Sequence, residues 1–108
     1  MQGVVSQEQL DRIIERVVAA VSPERVILFG AYGRGSPHEE GDVSLCVVVP
    51  KAGDWLYRAY ELRRQVPVSE AALAPLVVTP AELEQLRRAG NPLVTEALSE
   101  GRVVYERQ

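Results

Sequence analysis

Leu28-Phe29-Gly30-Ala31-Tyr32-Gly33-Arg34-Gly35, followed shortly by Gly41-Asp42-Val43-Ser44-Leu45, is the stretch whose reading decides the fold. The apolar run Arg25-Val26-Ile27-Leu28-Phe29 has the composition of a buried strand and stops at Gly30. Four glycines and Pro37 in the segment from Gly30 through Gly41 predict turn and loop, with room for one short helical turn. Val43 to Val49 is nearly continuous in apolar residues, as a strand covered on both faces should be. A strand ending in a glycine-rich turn lets backbone N–H groups approach a phosphate, and a helix begun there adds the positive end of its dipole. On the second strand the period of two puts Asp42 and Ser44 on one face, with Val43 and Leu45 on the other. Spacing alone favours a bland account in which the glycines make tight turns, Asp42 caps a turn and Ser44 is an ordinary strand residue, because isolated glycines are common in loops.

Outward from this unit the chain alternates helices and strands. Ser6 and Gln9 have capping-box spacing, and Leu10, Ile13, Ile14, Val17, Val18 and Val21 recur at helical intervals until Pro23 ends the helix. Asp54 can cap a helix whose stripe is Trp55, Ala59, Leu62 and Val66, widened by Leu56 and Tyr60. The run Leu76-Val77-Val78 predicts a third strand, with Pro75 either pushing it to a sheet edge or standing as its first residue. Thr79, Pro80 and Glu82 begin a helix over 81–89. Asn91-Pro92 begins another, which Gly101 ends and which should bury Leu93, Val94, Ala97 and Leu98, before a last short strand at Val103-Val104-Tyr105. Short connections and the lack of a linker or repeat predict one mixed α/β (α+β) domain over residues 1–108, helices packed on a small sheet.

Bulk properties narrow the function. The chain is 46% hydrophobic and 25% charged, the composition of an ordinary globular domain. A net charge of -3 disfavours broad nucleic-acid binding, which draws on a basic surface to neutralise phosphates. The single cysteine, Cys46, cannot close an intramolecular disulfide, and no Cys/His spacing suggests zinc. No apolar run approaches the ~20 residues of a membrane span, and no secretory leader is visible, so the expected location is cytoplasmic.

The quoted stretch resembles the minimal nucleotidyltransferases of the DNA polymerase beta superfamily. Their pattern is a strand ending in Gly-Ser, an Arg-Gly a few residues on, an Asp-x-Asp opening the next strand, and a third Asp on a later strand. The resemblance implies the nucleotidyltransferase fold. It also implies a triphosphate held by the glycine turn, two Mg²⁺ ions held by carboxylates, and transfer of a nucleotide monophosphate to a hydroxyl. Position by position, Gly30 matches the Gly and Arg34-Gly35 the Arg-Gly, which makes Gly30, Ala31, Arg34 and Gly35 the expected nucleotide-binding set. Asp42 matches the first carboxylate and is the expected metal ligand. Ala31 stands in the serine position, Ser44 in that of the second carboxylate, and Ala74-Pro75 where the third would be expected; Glu70 lies close by in sequence as a conceivable replacement.

These departures predict a catalytically impaired or inactive member acting as a partner-binding or regulatory subunit, with Mg²⁺ and NTP bound weakly or not at all. The partner that the resemblance implies is a small helical HEPN-type protein, in an antitoxin-like role. The alternative is an active Mg-dependent enzyme moving a nucleotide monophosphate from ATP or another NTP to a protein or small-molecule hydroxyl. Other residues read more simply. Cys46 within its strand should pack as a small hydrophobe, and His38 beside Glu39 and Glu40 should be exposed. Trp55, Tyr57 and Tyr60 should make core or interface contacts, while Arg63-Arg64 and Arg87-Arg88 should be solvated helix faces.

Overall fold

The structure, a computed structural model, describes residues 6–33, 43–51, 53, 55–66 and 73–107. Among the described residues, five helices and four strands follow one another as α1 (Gln7–Val21), β1 (Arg25–Phe29), α2 (Gly30–Gly33), β2 (Val43–Val48), α3 (Trp55–Gln65), β3 (Leu73–Val78), α4 (Pro80–Arg88), α5 (Pro92–Glu100) and β4 (Arg102–Glu106). The strands form one mixed sheet in the order β3-β2-β1-β4. β1 is antiparallel to both β2 and β4, and β2 is parallel to β3.

The local signals explain most boundaries. Ser6 and Gln9 close a reciprocal capping box at the start of α1, and Ser22 ends that helix in the left-handed conformation, φ 47°. Thr79 and Glu82 close a second box on α4, while the Asn91 side chain accepts from the Leu93 and Val94 N–H groups to start α5. Gly101 follows α5 because nothing larger fits: a Cβ there would lie 2.3 Å from the Ala97 carbonyl oxygen and 2.6 Å from Ile27 Cγ2.

The sheet is covered on both faces, which is why β2 is apolar throughout. On one face Val26, Leu28, Val43, Leu45, Val47 and Val49 pack beneath Leu10, Ile13 and Val17 of α1 and beneath Leu62 with Val66. On the other, Ile27, Phe29, Cys46, Val48 and Val78 pack beneath Leu83 of α4 and Val94 with Ala97 of α5. Among the described residues no polar or charged side chain is buried, and no helix is long and apolar enough to cross a membrane.

Three sequence expectations need correction. Leu93 and Leu98 are 52% and 40% exposed rather than core. Only Val94 and Ala97 face the sheet, and each of the two leucines sits one residue, about 100°, to the side of that line. Tyr60, expected to widen the buried stripe of α3, is 57% exposed. It lies about 200° round the helix from Leu62. β3 begins at Leu73, earlier than expected, with Pro75 inside it and not as its first residue; the alternative expectation, that Pro75 marks a sheet edge, holds, since β3 is an edge strand and tolerates a residue with no N–H. The side chains of Trp55, Leu56 and Tyr57, and Asp54 and His38 entirely, lie outside the described residues.

Candidate functional site

β1 delivers the chain to one end of the sheet, where Gly30 adopts φ 75°, a conformation that other residues pay to enter. The chain then makes the single helical turn of α2, Gly30–Gly33. Two contacts fix that turn from behind. Tyr32 is buried in the core beneath α1 and α3. Gly33 lies so close to β1 that an added Cβ would stand 2.5 Å from the Leu28 carbonyl oxygen. A helix of one turn has little macrodipole, so α2 lacks the strong positive end expected of a helix begun at this turn.

Ser44 comes next to this turn through the antiparallel pairing of β1 with β2, which sets it opposite Phe29. A Cβ on Gly30 would lie 3.4 Å from Ser44 Oγ. Parallel pairing with β3 then puts Ala74 beside Ser44 in register, so the two point to the same face. Val43 and Leu45 are buried on the opposite face, as the period of two requires. The sheet therefore assembles Gly30, the backbone of Ala31, Ser44 and Ala74 at one corner. Arg34, Gly35, Asp42 and Glu70 lie outside the described residues, as does the side chain of Ala31.

The donor set at that corner bears on metal chemistry. Ser44 offers a neutral hydroxyl and Ala74 a methyl group, whereas a pair of divalent cations needs anionic oxygens to bridge and neutralise them. Among the described residues no three His, Cys, Asp or Glu side chains cluster as a metal site. The described residues at this corner do not fit a two-metal centre.

The perturbed groups sit elsewhere. Glu82 is held down to about 2, first by hydrogen bonds from Arg58 and then by the Thr79 N–H; Arg58 donates to both carboxylate oxygens, at 2.7 and 3.1 Å. Glu84 is also held near 2, by Arg87 and Arg88 on its own helix. Both carboxylates belong to α4 and already have guanidinium partners, the pattern of structural ion pairs. Burial pushes the Cys46 thiol up to about 11, so it stays protonated and packs as the apolar side chain that its strand position implied. The Arg58–Glu82 pair was not legible beforehand: Glu82 announced itself only as a capping residue, and its partner lies 24 positions away.

A strand ending in a left-handed glycine, a one-turn helix and a second strand presenting Ser44 beside it reproduce the order of the quoted motif, and the match extends along the chain. The family described as the nucleotidyltransferase domain matches residues 10–105. This chain belongs to that family. Three solved chains are similar to the nucleotidyltransferase-domain fold seen here. A candidate nucleotidyltransferase from Sulfolobus solfataricus has a TM-score of 0.60 at 18% identity, covering 91% of this chain and 78% of that one. Two mutant structures of the toxin–antitoxin MntA–HpeT have TM-scores of 0.54 and 0.50 at 20% and 19% identity, covering 91% and 92% of this chain and 73% of each of theirs. At such identities the likeness establishes the fold alone. No curated protein matches the sequence.

Proposed function

We propose that this nucleotidyltransferase-domain protein is a catalytically impaired member acting as the protein-binding, regulatory half of a pair. The observation that carries this reading is the register of the site corner. Ser44, in the position of the second family carboxylate, has Ala74 as its in-register neighbour on β3, so two adjoining positions contribute no negative charge. With Asp42 as the remaining ligand, Mg²⁺ is held chiefly by water and nucleotide phosphates, too loosely for efficient transfer. The toxin–antitoxin MntA–HpeT structures share the fold, which supports a protein partner as the purpose retained when catalysis is lost. A small helical HEPN-type protein is the partner that the family resemblance implies, with the cytoplasm as the shared compartment.

A second reading is favoured by one observation: the left-handed Gly30 turn, fixed by Tyr32 and Gly33, keeps its backbone groups beside Ser44. On that reading Gly30, Ala31, Arg34 and Gly35 still hold an NTP, with Asp42 on its Mg²⁺, and a nucleotide monophosphate moves to a hydroxyl.

Calorimetric titration with ATP and GTP, with and without Mg²⁺, separates the two. The impaired subunit gives no Mg²⁺-dependent binding up to about millimolar nucleotide, a ceiling of roughly 4 kcal/mol of affinity. Metal-dependent binding that Asp42→Ala abolishes would instead establish a working pocket and turn the search toward acceptors. Purification from native cells tests the partner: recovery free of any helical protein, as a monomer or simple homo-oligomer, would count against the regulatory role.

A further inference from the structure

The two edges of the sheet are closed by different means. An edge strand presents unpaired N–H and C=O groups that another chain can extend, and proteins block such edges with prolines, charges or bulges. On β4 the device is a bulge. Tyr105 pairs with Val26 and Val103 with Ile27, so Val104 has no partner on β1. The extra residue turns Arg102 and Glu106 toward opposite faces: the former lies beside α1 in a cleft with Asp11 and Glu15, the latter beside α4 in a cleft with Glu84 and Arg87.

β3 has no bulge in its pairing with β2. The Val78 carbonyl accepts from the Val49 N–H at 2.8 Å and so faces inward. In a parallel ladder the residues alternate, which leaves the backbone groups of Leu73, Pro75 and Val77 facing out. Pro75 has no N–H to offer there. The Val77 carbonyl accepts from Arg58 Nη1 at 3.3 Å. The same guanidinium donates through Nε to the Gly53 carbonyl at 3.0 Å and forks onto Glu82, so it is held across the strand from both sides. Only 11% of the Arg58 side chain is exposed, unlike the helix-surface arginines Arg12, Arg64 and Arg88, at 61%, 61% and 76%.

We propose that Arg58 guards the β3 edge: clamped between Gly53 and Glu82, it occupies the Val77 carbonyl and keeps a second copy of this chain from adding a strand there. Strand addition needs the outward groups of Val77 and Leu73, and a fixed cation over that segment both takes the acceptor and sets a charge in the path of an incoming backbone. The guard is independent of nucleotide or a helical partner. Its failure therefore leaves the functional reading untouched, and the reverse also holds.

The test compares Arg58→Met, which keeps much of the side chain's apolar bulk but none of its donors, with Leu83→Ala, which weakens the core beneath α4 without touching the edge. Sedimentation velocity over a concentration series is the readout, with hydrogen exchange on any associated species. Arg58→Met is expected to self-associate beyond the wild-type state at a concentration at least about tenfold lower, with new protection at the outward Val77 amide. Leu83→Ala is expected to keep the wild-type assembly while still folded. If both variants associate alike, the cause is general loss of stability; if Arg58→Met stays as wild type, or gains protection elsewhere than β3, the edge has no guard in Arg58. Any of these results overturns the proposal.

Discussion

Two glycines in the same turn carry different constraints. Gly30 is required by its backbone angle, φ 75°, while Gly33 is required by space, since any Cβ would overlap the Leu28 carbonyl. That oxygen belongs to a strand paired on both sides and cannot retreat as a flexible side chain would. Gly33→Ala is therefore expected to cost about 1–3 kcal/mol, the range of overpacking. Urea denaturation reads this as a lower midpoint with unchanged slope. Gly53→Ala is the control: nothing lies within 4 Å of its added methyl, and its midpoint should barely move. The motif's glycines were visible in the sequence. Which was needed for angle and which for clearance depended on how close β1 passes. Ser44 was equally visible as a departure from the family pattern, but its pairing with Ala74 is a matter of strand register that no local signal encodes.

At the scale of elements, the Arg58–Glu82 pair ties α3 to the start of α4 around the edge of the sheet, and Glu82 also accepts from the Thr79 N–H at 2.9 Å to close its capping box. Its carboxyl is lowered from 4.5 to about 2. Because the folded value lies below the ordinary one, the ionised form contributes stability that is complete above about 4.5 and is lost as pH falls from there toward 2. The melting temperatures of wild type and Glu82→Gln should accordingly differ most near neutrality and converge across that acid window. Glu84 titrates in the same range but is present in both proteins, so it cancels from the difference. A gap that stayed constant down to pH 2 would remove the ion pair as its cause. The capping boxes were legible because they span three residues; the clamp was not, because its two halves meet only after β3 has crossed between them.

The whole molecule is a sheet with helices on both faces, and its stability rests on the two central strands. Leu45 is fully buried in β2, against α1 and α3, and Leu45→Ala should cost about 2–5 kcal/mol through lost burial and the cavity left behind. Leu93→Ala, which sequence periodicity would rank as similar, should stay within about 0.5 kcal/mol, because that side chain is half in solvent. Chemical denaturation of the pair checks directly whether exposure or periodicity decides.

By itself the sequence determined the helices, the strands and nearly all their ends, because these follow from capping, glycine and proline chemistry and hydrophobic period, all of which act over a few residues. It also determined family membership, since the order of the strand, turn and second strand is written in the chain. Only the tertiary structure decided that Tyr60, Leu93 and Leu98 turn away from the sheet, that Ser44 stands beside Ala74, and that Arg58 reaches Glu82 across an edge strand. Those depend on packing angle and strand register, which are fixed when distant segments compete for the same buried surface.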